Sequence, residues 1–361
     1  MTINARLVIL ASMLAKHVYR GKKRYISGGS DKDRVDYAMI EIAILIYDDA
    51  QQAAVLGMTD LLVAADRAAR AMPGHDGSPV LVISHWASAG KEGELTRVHS
   101  SESCRTTPSI CILPPALGGP RDDANPAVTR WLQERHADGA VLTSICSGAF
   151  VLGATGLFDS RTVTTHWTYE DRFRAQFPRA RIDTDRIVID DGDIITAGGV
   201  MAWTDLCLTI IQRFVGDAVM MEIAGSFLID PPGREQSYYS GFRPHTGHKD
   251  DAISKAQDFL HETDGKIVEV ATLAAKAGLE DRTFLRRFQK ATGHTTTEYW
   301  QRLRVANAKT KLRETGLTAD QVGWEVGYTD PSAFRKVFNR IVGLSPSDYR
   351  RRFSSGKGTT A

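Results

Sequence analysis

Residues 327–353 read GYTDPSAFRKVFNRIVGLSPSDYRRRF, and a matching pattern precedes them by about fifty residues, in 273–299 (LAAKAGLEDRTFLRRFQKATGHTTTEY). In each copy a glycine precedes two phenylalanines at positions i and i+4, and a second glycine and a tyrosine follow. The phenylalanines are Phe284 and Phe288 in the first copy and Phe334 and Phe338 in the second. This repeat indicates two copies of one helical unit.

The spacing within each copy predicts a helix-turn-helix. The first glycine, Gly278 or Gly327, permits a left-handed turn between two helices. The phenylalanines fix the inner face of the second helix, so the residues between them point outward. The outward positions are mostly basic: Arg282, Arg286, Arg287 and Lys290 in the first copy, and Ser332, Arg335, Lys336 and Arg340 in the second. Such faces suit contacts with DNA phosphates and guanine edges.

Charge alone leaves an alternative open, because a helical bundle with solvated basic faces has the same composition. Residues 280–313 contain nine Lys or Arg and three acidic residues, although the whole chain carries a formal charge of only +2. The duplicated glycine and phenylalanine spacing favours the DNA-binding interpretation.

The stretches RTFLRRFQKATG, YWQRLRVANAKTKL and 327–353 resemble the AraC/XylS family of transcription regulators. The resemblance implies two helix-turn-helix units, joined by a long helix over about 296–314, which read two successive major-groove segments. Pro331 departs from the family pattern, where a long polar side chain is common, and predicts fewer base contacts by the second unit. The DNA-binding candidates are Arg282, Leu285, Arg286 and Arg287, with Ser332, Arg335 and Lys336.

Upstream of this region, apolar runs alternate with helical patterns, which predicts an α/β domain: a flavodoxin-like sandwich with a parallel sheet between helices, ahead of the all-α tandem helix-turn-helix domain. The predicted strands are IEIAILIY, VLVIS, SICIL, GAVLTSIC, RIVID and DIITA, and the predicted helices are 53–71, 125–136, 148–156, 167–176 and 200–215.

The pattern divides the chain into five parts. Residues 1–38 are charged and lack periodicity, so we expect a disordered extension. The α/β domain covers 39–230, and a segment rich in Pro, Gly and polar residues, 231–250, is predicted as a linker. The DNA-binding domain covers 251–353, and 354–361 form a tail.

The four cysteines form neither a CxxC pair nor a disulfide-like framework, which predicts a reducing, cytoplasmic location. The longest apolar stretch near the start is too short to span a bilayer, and we expect no membrane partner.

Cys146 lies in TSICSGAFVLG, 143–153, where a predicted strand turns into a predicted helix. This arrangement is typical of a nucleophile elbow, in which a helix N-terminus favours thiolate. His166 could act as its base, and the loop with Gly118 and Gly119 could supply backbone N–H donors. A nucleophile, a ligand-sensing residue and a small buried hydrophobe all remain open for Cys146, and the last is the commonest role for a lone cysteine.

The stretch SICSGAFVLGATGLFDSRTVTTHW resembles the class I glutamine amidotransferase-like superfamily, in its PfpI/parkinsonism-protein branch. The domain pair resembles the GlxA-type regulators over about 40–353. The resemblance matches Cys146 and His166 to the nucleophile and its partner. However, Ser147 replaces the histidine of PfpI-type peptidases, and DDAQQAAVLG, 48–57, contains no glutamate. We therefore predict no catalytic residue, metal or cofactor, and a ligand pocket with Cys146, His166, Ser147, Gly118 and Gly119.

The sequence thus predicts a ligand-responsive transcription regulator that binds double-stranded promoter DNA as a homodimer, with RNA polymerase as a further partner. The resemblance favours control of the catabolism of a small nitrogen-containing metabolite. One alternative is a cysteine-dependent amidase or hydrolase with a DNA-binding module. The other is a thiol redox sensor, in which Cys146 oxidises to a sulfenic acid.

Overall fold

The structure, a computed structural model, describes residues 39–89, 94–103, 106–121, 125–266 and 269–354. The chain divides into two compact units between Gly233 and Arg234. The predicted disordered extension, Cys104 and 355–361 of the predicted tail lie outside the described residues. Within the described residues, no helix is both long enough and apolar enough to cross a bilayer.

The first unit is built on a seven-stranded sheet in the order β3-β2-β1-β4-β5-β9-β8. Its strands are β1 (Ile40–Ile46), β2 (Leu81–Ala89), β3 (Glu94–Ser100), β4 (Ile110–Leu113), β5 (Val141–Ile145), β8 (Val188–Asp190) and β9 (Ile194–Ala197). Two short strands, β6 (Thr162–Val163) and β7 (Arg181–Ile182), pair separately. The helices are α1 (Gln52–Arg70), α2 (Pro126–Ala137), α3 (Gly148–Gly153), α4 (Glu170–Gln176), α5 (Trp203–Phe214) and α6 (Asp217–Phe227).

Helices cover both faces of the sheet, which confirms the predicted flavodoxin-like sandwich. Alternate residues of β1 point to opposite faces, so Ile42 and Ile44 pack in one core with α1, α5 and α6. Ala43 and Leu45 pack in a second core with residues of α2, α3 and α4. A strand that is buried on both faces is mostly apolar, and the one charged residue of β1, Glu41, is buried in a pair with Arg97.

The centre of the sheet is parallel, as predicted, and one further strand pairs antiparallel at each edge. Strands β2, β1, β4, β5 and β9 are parallel, whereas β3 and β8 pair antiparallel at the two edges. An antiparallel neighbour needs only a short turn, and β8 and β9 are separated by only 191–193. Strand β3 was not predicted, since its half-exposed, polar sequence ELTRVHS lacks the apolar run of a central strand.

The second unit consists of helices, as predicted. They are α7 (Asp251–Glu262), α8 (Val270–Ala277), α9 (Asp281–Thr292), α10 (Thr296–Glu314), α11 (Ala319–Glu325), α12 (Pro331–Val342) and α13 (Pro346–Phe353). The turns at Gly278 and Gly327 adopt positive φ angles of 66° and 91°. The four repeated phenylalanines, Phe284, Phe288, Phe334 and Phe338, are completely buried. Two helix-turn-helix units, α8–α9 and α11–α12, therefore flank the long helix α10.

The segment predicted as a linker packs on the helical unit. Tyr238 is buried in the core of the second helix-turn-helix, and Ser237 donates a hydrogen bond to the carbonyl oxygen of Val342 at 2.8 Å. Phe242 packs against the core of the first helix-turn-helix, where its ring meets Tyr299 edge to face. Residues from 234 onward thus belong to the compact helical unit.

Candidate functional site

The carboxyl ends of β1, β4 and β5 lie side by side, because β4 separates β1 from β5 in the sheet. Strand β1 also marks the point where the strand order reverses, since β2 lies on its other side. Ligands of open α/β sheets bind at this position. The predicted pocket residues follow these strand ends, in 114–121 and at Cys146.

Cys146 forms the sharp turn between β5 and α3 that the sequence predicted. Its φ angle of 53° is left-handed, which is unfavourable for a residue with a side chain. Two hydrogen bonds hold this conformation: the Cys146 N–H donates to the Ala197 carbonyl oxygen at 2.7 Å, and Thr165 Oγ1 donates to the Cys146 carbonyl oxygen at 2.6 Å.

Ser147 and Gly148 fix the loop after β4 against the elbow. Ser147 Oγ accepts from the Ala116 N–H at 2.7 Å and donates to the Ala116 carbonyl oxygen at 3.2 Å. A Cβ atom on Gly148 would lie 2.6 Å from the carbonyl oxygen of Leu113, so only glycine fits there. The Ser147 hydroxyl, a predicted ligand contact, therefore already has two protein partners.

The Cys146 thiol is 1% exposed. Burial raises its pKa to about 11, and hydrogen bonds with the backbone of Ser147 and Gly199 oppose this rise. At pH 7 only about one such thiol in ten thousand is ionised. The desolvation of the thiolate thus outweighs the predicted effect of the helix N-terminus.

His166 follows Thr165 directly, so it lies beside the elbow. Its Nδ1 accepts a hydrogen bond from the Thr168 N–H at 3.2 Å and lies 2.7 Å from Thr168 Oγ1. A neutral ring whose Nδ1 accepts carries its proton on Nε2. Nδ1 is thus engaged with Thr168 and is not available as a general base.

The two predicted loop glycines lie beside the end of β1. Gly119 has a φ angle of 84°, and its N–H donates to the Ala116 carbonyl oxygen at 3.2 Å. Binding of an anion by this N–H would require the turn to open. Gly118 faces Asp49, whose Oδ2 would lie 3.3 Å from a Cβ atom at this glycine.

Two further side chains near the elbow were not among the predicted pocket residues. Gln51 caps α1 and donates its N–H to the carbonyl oxygen of Pro115, next to the residue that Ser147 holds. Trp203 begins α5 and packs against the core that contains Cys146. Gln51 Oε1 and Trp203 Nε1 are both buried and lack a hydrogen-bond partner among the described residues. The sequence signal was the pair of glutamines in DDAQQAAVLG, the stretch after the first strand that contains no glutamate.

In the helical unit, the predicted DNA-binding residues of α9 lie on its outer face. Arg282, Leu285 and Arg286 are exposed, opposite the buried phenylalanines. Leu285 is 42% exposed, which is unusual for a leucine on a helix with a core-facing side. An exposed apolar side chain between two arginines suits contact with a thymine methyl group.

Arg287 differs from its neighbours because it has a partner within the unit. Its Nε and Nη2 donate to the two carboxylate oxygens of Asp250 at 3.0 and 2.6 Å. The Arg287 guanidinium also lowers the pKa of Asp250. This bidentate pair ties α9 to the N-terminus of α7, since Asp250 caps that helix.

The second recognition helix, α12, presents Ser332, Arg335 and Lys336 on its exposed face. Pro331 occupies its first turn, and Asp330 caps it by accepting from the N–H groups of Ser332 and Ala333. The Arg335 guanidinium lies against Asp320 of α11. Arg335 must exchange this exposed partner for DNA if it contacts a base.

Comparisons with known proteins agree with the folds described for the α/β unit and for the helical unit. Residues 41–213 match the DJ-1/PfpI family, and 273–352 match a helix-turn-helix domain family. The HTH-type transcriptional regulator GlxA of Rhizobium meliloti is 27% identical over 258 residues, which cover 70% of this chain and 77% of that protein. The HTH-type transcriptional regulator CdhR of Pseudomonas aeruginosa is 26% identical over 289 residues, covering 76% and 79%.

An enzyme is also among the relatives. The isonitrile hydratase of Pseudomonas putida is 28% identical over 195 residues, which cover 54% of this chain and 81% of that protein.

The two matched domains and the regulators that are similar over most of the chain point to the same kind of protein. A DJ-1/PfpI domain precedes two helix-turn-helix units with outward basic faces. The chain thus contains a DJ-1/PfpI family domain followed by a helix-turn-helix domain, and over most of its length it is similar to HTH-type transcriptional regulators such as GlxA.

Proposed function

We propose that the α/β unit binds a small nitrogen-containing effector at the elbow and that this binding changes the affinity of the helical unit for promoter DNA. One observation carries the proposal: Gln51 Oε1, next to the loop that the elbow holds, and Trp203 Nε1, at the start of α5, are buried and have no partner among the described residues. Burial of a polar atom without a hydrogen bond is costly, so natural sites of this kind are completed by a ligand or by water.

The chemistry of these atoms favours an effector with both hydrogen-bond donors and acceptors. Gln51 Oε1 accepts, so it suits an amine, amide or guanidinium N–H of the ligand. Trp203 Nε1 donates, so it suits a ligand carboxylate or carbonyl oxygen. An amino acid or a closely related metabolite contains both kinds of group.

Binding without turnover is the better interpretation of the elbow. The Cys146 thiol is protonated at neutral pH, and Nδ1 of His166 is engaged with Thr168. A cysteine nucleophile needs a thiolate and an oriented base. The same protonated thiol argues against a redox sensor, because oxidation to a sulfenic acid begins from the thiolate.

In the test, the full chain first selects its preferred DNA sequence from a random library. Affinity for this DNA is measured with amino acids, primary amines and quaternary ammonium compounds in turn. We expect an effector with an N–H group to change the affinity, and Gln51→Leu to abolish that change. The neighbouring, exposed Gln52 provides the matched control, Gln52→Leu, which should respond like the wild type. A wild-type response that survives Gln51→Leu would contradict the assigned site.

The proposed regulator acts in the cytoplasm as a homodimer and contacts RNA polymerase at its promoters. A dimer presents four recognition helices, which raises affinity and fixes the spacing of two half-sites. Sedimentation equilibrium of the full chain with and without the selected DNA checks the dimer. A monomer that binds one half-site in both states would contradict it.

The isonitrile hydratase relative supports a second candidate, a cysteine-dependent enzyme with a DNA-binding module. Purified protein is incubated with amides, peptides and isonitriles, and product formation is followed. Turnover that Cys146→Ala abolishes would establish this candidate. If the protein is a regulator without catalytic activity, neither the wild type nor Cys146→Ala should form product.

A further inference from the structure

The helical unit contains two separate hydrophobic cores, and helix α10 contributes to both. Tyr299 and Leu303 pack in the core of the first helix-turn-helix. Val305, Ala308 and Leu312 pack in the core of the second. The two described cores share no residue, so the change from one to the other falls at position 304 of α10.

Arg304 occupies this position, and it is only 5% exposed. Its Nε donates to the carbonyl oxygen of Gly265 at 2.7 Å, and its Nη2 donates to that of Lys266 at 3.2 Å. Both carbonyls lie in the chain between α7 and α8, beside the first helix-turn-helix. Its Nη1 donates to the carbonyl oxygen of Gly327 at 2.8 Å, in the turn of the second helix-turn-helix.

The surroundings of the guanidinium fit it closely. Its Cζ atom lies 4.4 Å from the ring centre of Trp300 and 5.2 Å from that of Tyr328. A Cβ atom on Gly327 would lie 3.2 Å from Cζ, so the glycine gives the guanidinium its space. The planar, five-donor fork of arginine suits several carbonyls at once, which a lysine ammonium cannot reproduce.

We propose that Arg304 is a positioning residue that locks the two helix-turn-helix units in one mutual orientation and thereby sets the spacing between the two DNA segments they read. The guanidinium bonds to the chain that leads into the first helix-turn-helix and to the turn of the second, at the position where α10 passes from one core to the other. Recognition helices read successive major-groove segments only if the distance and angle between them match the helical repeat of DNA. Loss of the three-carbonyl fork leaves each unit folded around its own core but free to change this orientation.

The inference rests on DNA binding by both units, and the experiment measures spacing rather than binding alone. The full wild-type chain first selects its two-segment DNA motif. Affinities are then measured for duplexes in which the spacer between the segments is one base pair shorter, unchanged or one base pair longer. We expect the wild type to prefer one spacing. The Arg304→Lys variant should lose that preference, with affinity for the preferred spacing falling by about tenfold if the competent orientation is populated about a tenth of the time.

Lys309 offers a matched control on the same helix. It is also 5% exposed, and it donates to the carbonyl oxygens of Ser237 and Ser240, in the segment that packs on the second helix-turn-helix. The Lys309→Met variant should therefore keep the wild-type spacing preference. A base-pair change within one segment should weaken wild type and Arg304→Lys equally, since each unit still reads its own bases.

The outcomes separate the two proposals. If the wild type selects no DNA motif, DNA reading by both units fails. If the wild type prefers one spacing and Arg304→Lys keeps that preference, the role of Arg304 is overturned. Should circular dichroism show that Arg304→Lys does not fold, Gly327→Ala gives the second test, because its Cβ atom would displace the guanidinium. Retained spacing preference in that variant would equally overturn the role.

Discussion

At the scale of single residues, Cys146 shows how burial changes the chemistry of an elbow. The backbone keeps the left-handed turn of a nucleophile elbow, while the thiol is held protonated by desolvation. The folded state favours the protonated thiol, because its pKa is raised above that of an unfolded chain. The stabilisation is therefore complete below the ordinary thiol pKa and is lost as the pH rises toward 11.

The raised pKa predicts slow alkylation. Iodoacetamide should label Cys146 negligibly at pH 8, and the rate should increase steeply between pH 9 and about 11 as the thiolate forms. Peptide mass spectrometry of the folded protein gives the rate, and the urea-unfolded protein provides the reference. Fast labelling of folded Cys146 near pH 7 would contradict the raised pKa and would support the cysteine-dependent enzyme or the thiol redox sensor.

Gly148 tests how tightly the elbow is packed. Gly148→Ala should lower the free energy of unfolding by about 1–3 kcal/mol, because its Cβ atom meets two backbone carbonyls that cannot move away easily. Gly225 in α6 has open space around it, so Gly225→Ala should stabilise the protein by about 0.5–1 kcal/mol. Thermal melting of both variants checks the opposite signs, and equal shifts would contradict the close contact at Gly148.

At the scale of elements, adjacent arginines of α9 have different tasks. Arg286→Ala should weaken specific DNA binding by about 1–3 kcal/mol and relax one base position, as expected if it forks onto a guanine. Arg287→Ala should leave the selected motif unchanged and lower the melting temperature, because it breaks the pair with Asp250. Motif selection with each variant checks this division, and a changed motif for Arg287→Ala would reverse the assignment.

The same helix shows what the sequence can and cannot predict. The phenylalanine spacing predicted which face of α9 is buried, because helical periodicity is a local property. Asp250, the partner of Arg287, is distant in the chain, and no local pattern indicates such a pair. Likewise, the apolar runs predicted the central strands, whereas the half-exposed edge strand β3 was missed. The elbow turn at Cys146 was expected, but the protonated thiol depends on burial, which only the folded structure shows.

At the scale of the whole molecule, the DNA-binding unit begins at Arg234, whereas the sequence composition predicted a start at residue 251. A fragment of residues 250–354 lacks Tyr238 and Phe242, which fill the two helical cores. Loss of a buried aromatic ring costs about 3 kcal/mol or more, so this fragment should melt at least about 10 °C below a fragment of residues 234–354. Calorimetry of the two fragments checks this, and equal melting temperatures would show that 234–249 contribute nothing.

The packed segment around Tyr238 also bears on how new sensors could be built from such regulators. Ser237 and Ser240 offer their carbonyl oxygens to the buried Lys309, so this stretch is specific to the helical unit that follows it. A chimera that joins a foreign effector domain at the polar stretch near position 250 would discard these partners and leave a buried ammonium without them. Grafts joined at Gly233 would carry the whole DNA-binding unit intact, and we expect exchange of effector domains to succeed at that junction.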